Sequence, residues 1–138
     1  MSTQLVHPED VEYMWAEVEP ILDRVKEHTE GELETSDFLH LLNNGEMQLW
    51  VSVEGNEVEA AMVTQIITYP QKKILRIISL AGHDFKRLRP SQELVESFAV
   101  QQNCTALEMW GRKGWKKLLT DWQDTYIVYT KDLKHRMQ

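Results

Sequence analysis

The chain has 138 residues, of which 42% are hydrophobic and 27% charged, and a formal charge of −7. That is the profile of a soluble protein long enough to bury a core without staples. It has no run of 18 apolar residues, no basic and apolar leader, and a single cysteine, Cys104. Neither a spanning helix, nor a signal peptide, nor an internal disulfide is therefore expected, and a reducing cytoplasmic setting is.

The charge is unevenly placed. Residues 1–59 carry 15 acids against 2 bases, a net of −13, whereas residues 60–138 carry 7 against 13, a net of +6. The acidic total argues against wrapping nucleic acid. The asymmetry suits two halves that attract each other within one fold or across a dimer.

In chain order, residues 8–28 read as a first helix. Pro8 suits its first turn, Glu9, Asp10 and Glu12 complement its positive end, and Val11, Trp15, Val18, Leu22 and Val25 recur at helical spacing. Pro20 should kink or split it. Residues 29–35 form a polar linker around Gly31. Ser36 is expected to cap a second helix over Asp37–Asn43, with Phe38, Leu41 and Leu42 inward, and Asn43-Asn44-Gly45 to stop it.

Residues 47–53 alternate with period two and predict a strand; Glu54-Gly55-Asn56-Glu57 is a tight turn, and Val58–Tyr69 returns as a hairpin. After a turn at Pro70, Lys73–Leu80 is the most apolar strand and is expected at the centre of the sheet. A polar loop, His83–Arg89, leads to a helix opened by Pro90-Ser91 and running to about Asn103, with Leu94, Val95 and Phe98 inward. A strand over 105–110, a helix over 112–120 and a last strand, Thr125–Thr130, complete the order.

The sequence is thus read as one domain: a helical part (1–45), an antiparallel meander (46–82) and a βα-type C-terminal half (83–138). The fold class is α/β (α+β), a mixed twisted sheet with helices on both faces.

The segment Ala106–Leu119 ends a short apolar alternation in Gly111-Arg112-Lys113-Gly114-Trp115 and continues into a basic helix with Lys116 and Lys117. A helix N-terminus is already positive, so cations there await an anion, an acidic partner or the chain's own acidic half. Five tryptophans (15, 50, 110, 115 and 122) are many for this length. Core packing explains most, and Trp115 and Trp122 are the candidates for a groove or subunit contact. The histidines, at 7, 28, 40, 83 and 135, lack metal-site spacing, so no metal is expected.

The order of elements, Gly45–Val51, the hairpin, the strand closing at Leu80-Ala81-Gly82, and Leu107–Leu119 with its Gly-Arg-Lys-Gly-Trp turn together resemble the GNAT family of N-acetyltransferases. Within it they resemble a divergent subgroup carried by tailed bacteriophages and prophages.

The resemblance implies a gap beside the strand ending at Gly82, where acetyl-coenzyme A lies, and a glycine-rich loop whose backbone N–H groups hold its pyrophosphate. The corresponding stretch, Leu80–Pro90, is bulky, carries Asp84 and has one glycine, at the wrong end. Leu80, Gly82, Lys86, Arg87 and Arg89 are the coenzyme-binding candidates on it. The window Gly111–Asp121 lacks the tyrosine that often serves as general acid. Glu46 and Glu108 are the candidate catalytic carboxylates, and Arg112, Lys113, Trp115 and Lys116 the candidate partner-binding residues.

Two functional expectations follow. One is an acetyltransferase-like phage or prophage protein with a degenerate pyrophosphate loop, acting by binding as a virion-associated or host-interacting factor in the host cytoplasm. The other is an active N-acyltransferase acting on an amine of a small molecule or protein.

Overall fold

A computed structural model of the chain describes residues 2–24, 34–82, 89–110, 121–125, 127–131 and 133. The elements are β1 (Ser2–Val6), α1 (Val11–Asp23), α2 (Thr35–Asn43), β2 (Gln48–Glu54), β3 (Glu57–Thr68), β4 (Lys73–Gly82), α3 (Arg89–Gln101) and β5 (Ala106–Met109). Among the described residues they build one sheet in the order β1-β2-β3-β4-β5. β1 to β4 are antiparallel to their neighbours and β5 runs parallel to β4, so the sheet is mixed.

Helices cover both faces. Alternate residues of the strands, among them Leu49, Val51, Ala61, Val63 and Ala81, pack with Val11, Val18, Leu22, Phe38 and Leu42 of α1 and α2. The opposite set, Trp50, Met62 and Leu75, packs with Val95 and Ala99 of α3 and with Cys104. The two-residue period of a strand is what sends neighbours such as Leu49 and Trp50 to different layers.

Several expectations are corrected. The first strand, β1, was not anticipated. It is a sheet edge with only Val6 buried, so it lacks the alternation that advertises a half-buried strand. Pro8–Asp10 is a separate 3₁₀ turn rather than the start of the α-helix. Pro20 does not end α1, which runs three residues beyond it. Residues 25–28 of the expected helix lie outside the described residues.

The cap of α2 is Glu34, not Ser36. Glu34 and Asp37 form a reciprocal capping box, in which the Glu34 N–H donates to Asp37 Oδ2 at 2.8 Å. The Thr35 hydroxyl donates to Asp23, joining the end of α1 to the start of α2.

β3 is the middle strand, with β4 one place from the edge. Leu94, expected inward, is 42% exposed. Val95 and Phe98 face the sheet as expected, and Ser91 and Ala99 are buried with them.

Residues 125 and 127–130 form no strand. Strand-forming composition makes a strand only when a neighbouring edge supplies the ladder, and no such pairing is made among the described residues. The expected helix at 112–120 lies outside the described residues.

Candidate functional site

The distinctive geometry lies where β4 and β5 part. Their pairing runs Ile74↔Ala106, Leu75↔Leu107, Arg76↔Glu108 and Ile77↔Met109 and then ends, while β4 continues to Gly82. On the other side of β4 the register slips at the same level: Thr64 pairs with Ile77 and Val63 with Ser79, which leaves Ile78 without a partner. An extra residue of this kind bends its strand and increases its twist. The outer edge of Ile78–Gly82 therefore faces a gap, with backbone groups that no described strand pairs.

Each side of the sheet supports this gap differently. On the α3 side, Trp50 meets Phe98 edge to face, with ring centroids 5.3 Å apart and planes at 82°. The Trp50 indole Nε1–H donates to Thr64 Oγ1 at 3.0 Å, and that hydroxyl donates to Gln48 Oε1 at 2.9 Å. The start of α3 is tied to the sheet by a chain of hydroxyls, Ser91 to Thr3 and Thr3 to Ser52. Ser91 and Ser52 are both buried.

On the other side, Arg76 Nε–H donates to Glu108 Oε1 at 2.6 Å, and the Trp110 Nε1–H donates to the same oxygen at 3.0 Å. The Arg76 guanidinium lies 4.5 Å from the centroid of the Trp110 ring, a cation–π contact. Its Nη2–H donates to the Tyr69 hydroxyl at 3.0 Å. Trp110 is the residue at which the chain leaves β5, so this cluster sits at the mouth of the gap.

The candidate residues are not all brought together. Leu80 is half-buried on the α3 side beside Trp50, Met62 and Leu75. Gly82 ends β4, and its lack of a side chain has a cause within the sheet: a Cβ there would stand 2.6 Å from Ala60 Cβ. Glu108 is held as described. Glu46 is exposed in the turn before β2, its N–H donating to Asn44 Oδ1 at 3.0 Å and to Leu41 O at 3.0 Å. Strands β3 and β4 lie between Glu46 and Glu108, about 14 Å of sheet, so the two carboxylates are not a pair. Arg89 opens α3. Its side chain, together with Lys86, Arg87, Arg112, Lys113, Trp115 and Lys116, lies outside the described residues.

Sequence reasoning passed over Arg76, Tyr69 and Trp110. A signal was present: Arg76 interrupts the apolar run Lys73-Ile-Leu-Arg-Ile-Ile, and a charge within an interior strand requires a partner. Cys104 is buried at the close of α3, its N–H donating to Ala99 O at 2.8 Å. Burial pushes its thiol pKa up, with Lys73 opposing. Among the described residues no group of histidine, cysteine and acidic side chains could hold a metal.

No family model and no curated protein matches the chain. Solved structures do. An aminoglycoside acetyltransferase from an uncultured soil metagenomic sample, in complex with sisomicin, superposes with a TM-score of 0.71 at 12% identity, covering 96% of each chain. A ribosomal-protein-alanine N-acetyltransferase from Brucella melitensis gives 0.66 at 10% identity, over 97% of this chain and 98% of the other. A predicted acetyltransferase from Clostridium acetobutylicum, with acetyl-CoA, gives 0.63 at 16% identity over 95% of each chain. At these identities the likeness establishes the fold, which is the GNAT-like α/β fold of acetyltransferases.

Proposed function

We propose that this acetyltransferase-like protein uses the GNAT fold for recognition rather than turnover, as an accessory factor that binds a partner. The observation that carries this reading is the state of Glu108, the sole acid in the sequences of β4 and β5. A carboxylate that takes a proton from an acceptor amine needs an available lone pair aimed at that amine. The Glu108 carboxylate is instead turned toward a guanidinium and an indole, which share its Oε1, an arrangement that ties two strands together.

The composition of the stretch after β4 supports the same reading. His83-Asp84-Phe85-Lys86-Arg87-Leu88-Arg89-Pro90 has no glycine, so close approach of a pyrophosphate to backbone N–H groups is hindered, and Asp84 opposes an anion. Arg112, Lys113, Trp115 and Lys116 are then the residues we assign to an acidic partner surface. The setting proposed is a phage or prophage protein acting in the host cytoplasm or with the virion.

One observation favours a second reading, an active N-acyltransferase. The open edge of Ile78–Gly82 could take acetyl-CoA as a substrate along its backbone groups. The acceptor nitrogen would attack the thioester carbonyl, the C–S bond would break, and the thiolate would leave with water accepting the amine proton. Positioning alone can drive such a step. The aminoglycoside acetyltransferase and the ribosomal-protein-alanine N-acetyltransferase among the neighbours suggest small-molecule and protein amines as acceptors to try. The test is release of free coenzyme A from acetyl-CoA in the presence of a polyamine and of an N-terminal alanyl peptide. The recognition reading expects release no faster than without protein, and release that grows in proportion to protein concentration overturns it.

A further inference from the structure

We propose that the gap between β4 and β5 takes an extended, acidic segment of a partner protein, which adds a strand to Ile78–Gly82 and stacks an aromatic side chain on Trp110. This rests on the recognition reading above and names the chemistry of the partner. The edge comes first. β4 runs five residues past its last pairing with β5, and no described residue pairs with that outer edge. Five residues offer about 16 Å of backbone donors and acceptors, and a polar edge of this kind is completed by an added strand. The side chains beside it suit one as well: Ile78 packs into the layer of α1 and α2, and Leu80 into that of α3. Alternate side chains of an incoming strand therefore meet an apolar neighbour on each face.

Trp110 supplies the anchor. It is 60% exposed although its Nε1–H is engaged by Glu108 and one face by the Arg76 guanidinium, 4.5 Å from the ring centroid. That guanidinium is held in turn by Glu108 and by the Tyr69 hydroxyl. The indole is thereby fixed in place, and its exposure falls on the opposite face. A large aromatic side chain already set in position loses little freedom on binding. Tryptophan, tyrosine and arginine are also the residues that most often carry the energy of an interface.

Charge decides what kind of strand fits. β4 and β5 are parallel, so the chain leaves both at the same end of the sheet. Residues 83–89 carry three bases against Asp84, and residues 111–117 carry four bases and no acid. The acid of the two strands, Glu108, is already paired with Arg76. An incoming strand spaces its carboxylates about 7 Å apart along each face, where long basic side chains can meet them one by one. A pyrophosphate instead concentrates its charge at one point and needs backbone N–H groups at close range, which the glycine-free stretch after Gly82 hinders.

The experiment offers the full chain a library of seven-residue peptides in which every position is glutamate, lysine, valine or tyrosine, and sequences those it retains. Retained peptides are expected to be rich in glutamate, poor in lysine and to carry a tyrosine. The tightest is then titrated by calorimetry, and its footprint is read by amide hydrogen exchange. Protection is expected over 78–82. Methylating the peptide's backbone nitrogens removes its strand donors while keeping its side chains, and should abolish binding. Trp110→Ala, at an exposed position, should weaken binding about tenfold with the circular dichroism spectrum unchanged. Retention of lysine-rich peptides, retention of none, or binding that leaves the exchange of 78–82 unchanged overturns the proposal. Release of coenzyme A from acetyl-CoA is a separate readout. Release overturns the recognition reading, whereas no retained peptide and no release overturns this proposal alone.

Discussion

Arg76 and Glu108 face each other across the parallel pair β4–β5, with Nε and Oε1 2.6 Å apart, one residue before the two strands separate. Their side chains are 18% and 31% exposed, so the pair is only partly screened by water. Because Trp110 donates to the same carboxylate oxygen and stacks on the same guanidinium, removing the carboxylate removes two contacts together and takes away the acceptor that the stacked pair shares.

Glu108→Ala is therefore expected to destabilise the protein by about 1–3 kcal/mol, the range for losing a partly buried hydrogen bond to a charged group. An isolated surface ion pair would contribute less than about 1 kcal/mol. Urea unfolding of the wild type, Glu108→Ala, Arg76→Ala and the double variant measures this directly. A coupling energy near zero between the two positions would show that the pair holds nothing.

Gly82→Ala is expected to weaken the fold at the end of β4. The added Cβ would stand 2.6 Å from Ala60 Cβ, so β3 and β4 must move apart, at a cost of about 1–3 kcal/mol. Ala60→Gly in the same chain removes the opposing methyl and should recover most of the loss. The thermal midpoints of the single and double variants test the pairing.

Cys104 is expected to label slowly. Burial raises its thiol pKa, so at a given pH less thiolate is present than in an exposed cysteine, and thiolate is the reactive form. For a group whose folded pKa is the higher, the folded state holds the proton longer. The corresponding stability is present below the ordinary thiol pKa of about 8.5 and is lost as pH rises through the raised value. The rate of iodoacetamide labelling against pH, compared between folded and urea-unfolded protein, checks both the direction and the window. A folded protein that labels as fast as the unfolded one contradicts the assignment.

The hairpin and the two-sided packing were legible because each rests on local periodicity. Leu49-Trp50-Val51 alternates between layers as strand period demands, and Val11, Trp15, Val18 and Leu22 form the buried stripe of α1. What escaped was set by pairing rather than pattern. β1 buries one side chain and is a strand only because Leu49 to Val53 of β2 lie alongside it. The 127–130 run has strand composition but joins no ladder among the described residues. At the site, the sequence offers Glu108 as a candidate catalytic carboxylate on the strand expected over 105–110. Only the cross-strand register shows that Arg76, thirty-two positions earlier, occupies it. The glycine at 82 was read for a ligand's approach, and its close neighbour is Ala60.

The central claim is that this fold serves recognition and that its coenzyme site is degraded. The most direct measurement is the thermal midpoint of the pure protein with and without saturating acetyl-CoA. A ligand at 100 times its Kd adds about 2.7 kcal/mol to stability, a rise of about 10 °C for a chain of this size. The account predicts no shift. A clear rise that disappears in Arg87→Ala would contradict it and establish coenzyme binding through the loop that follows β4.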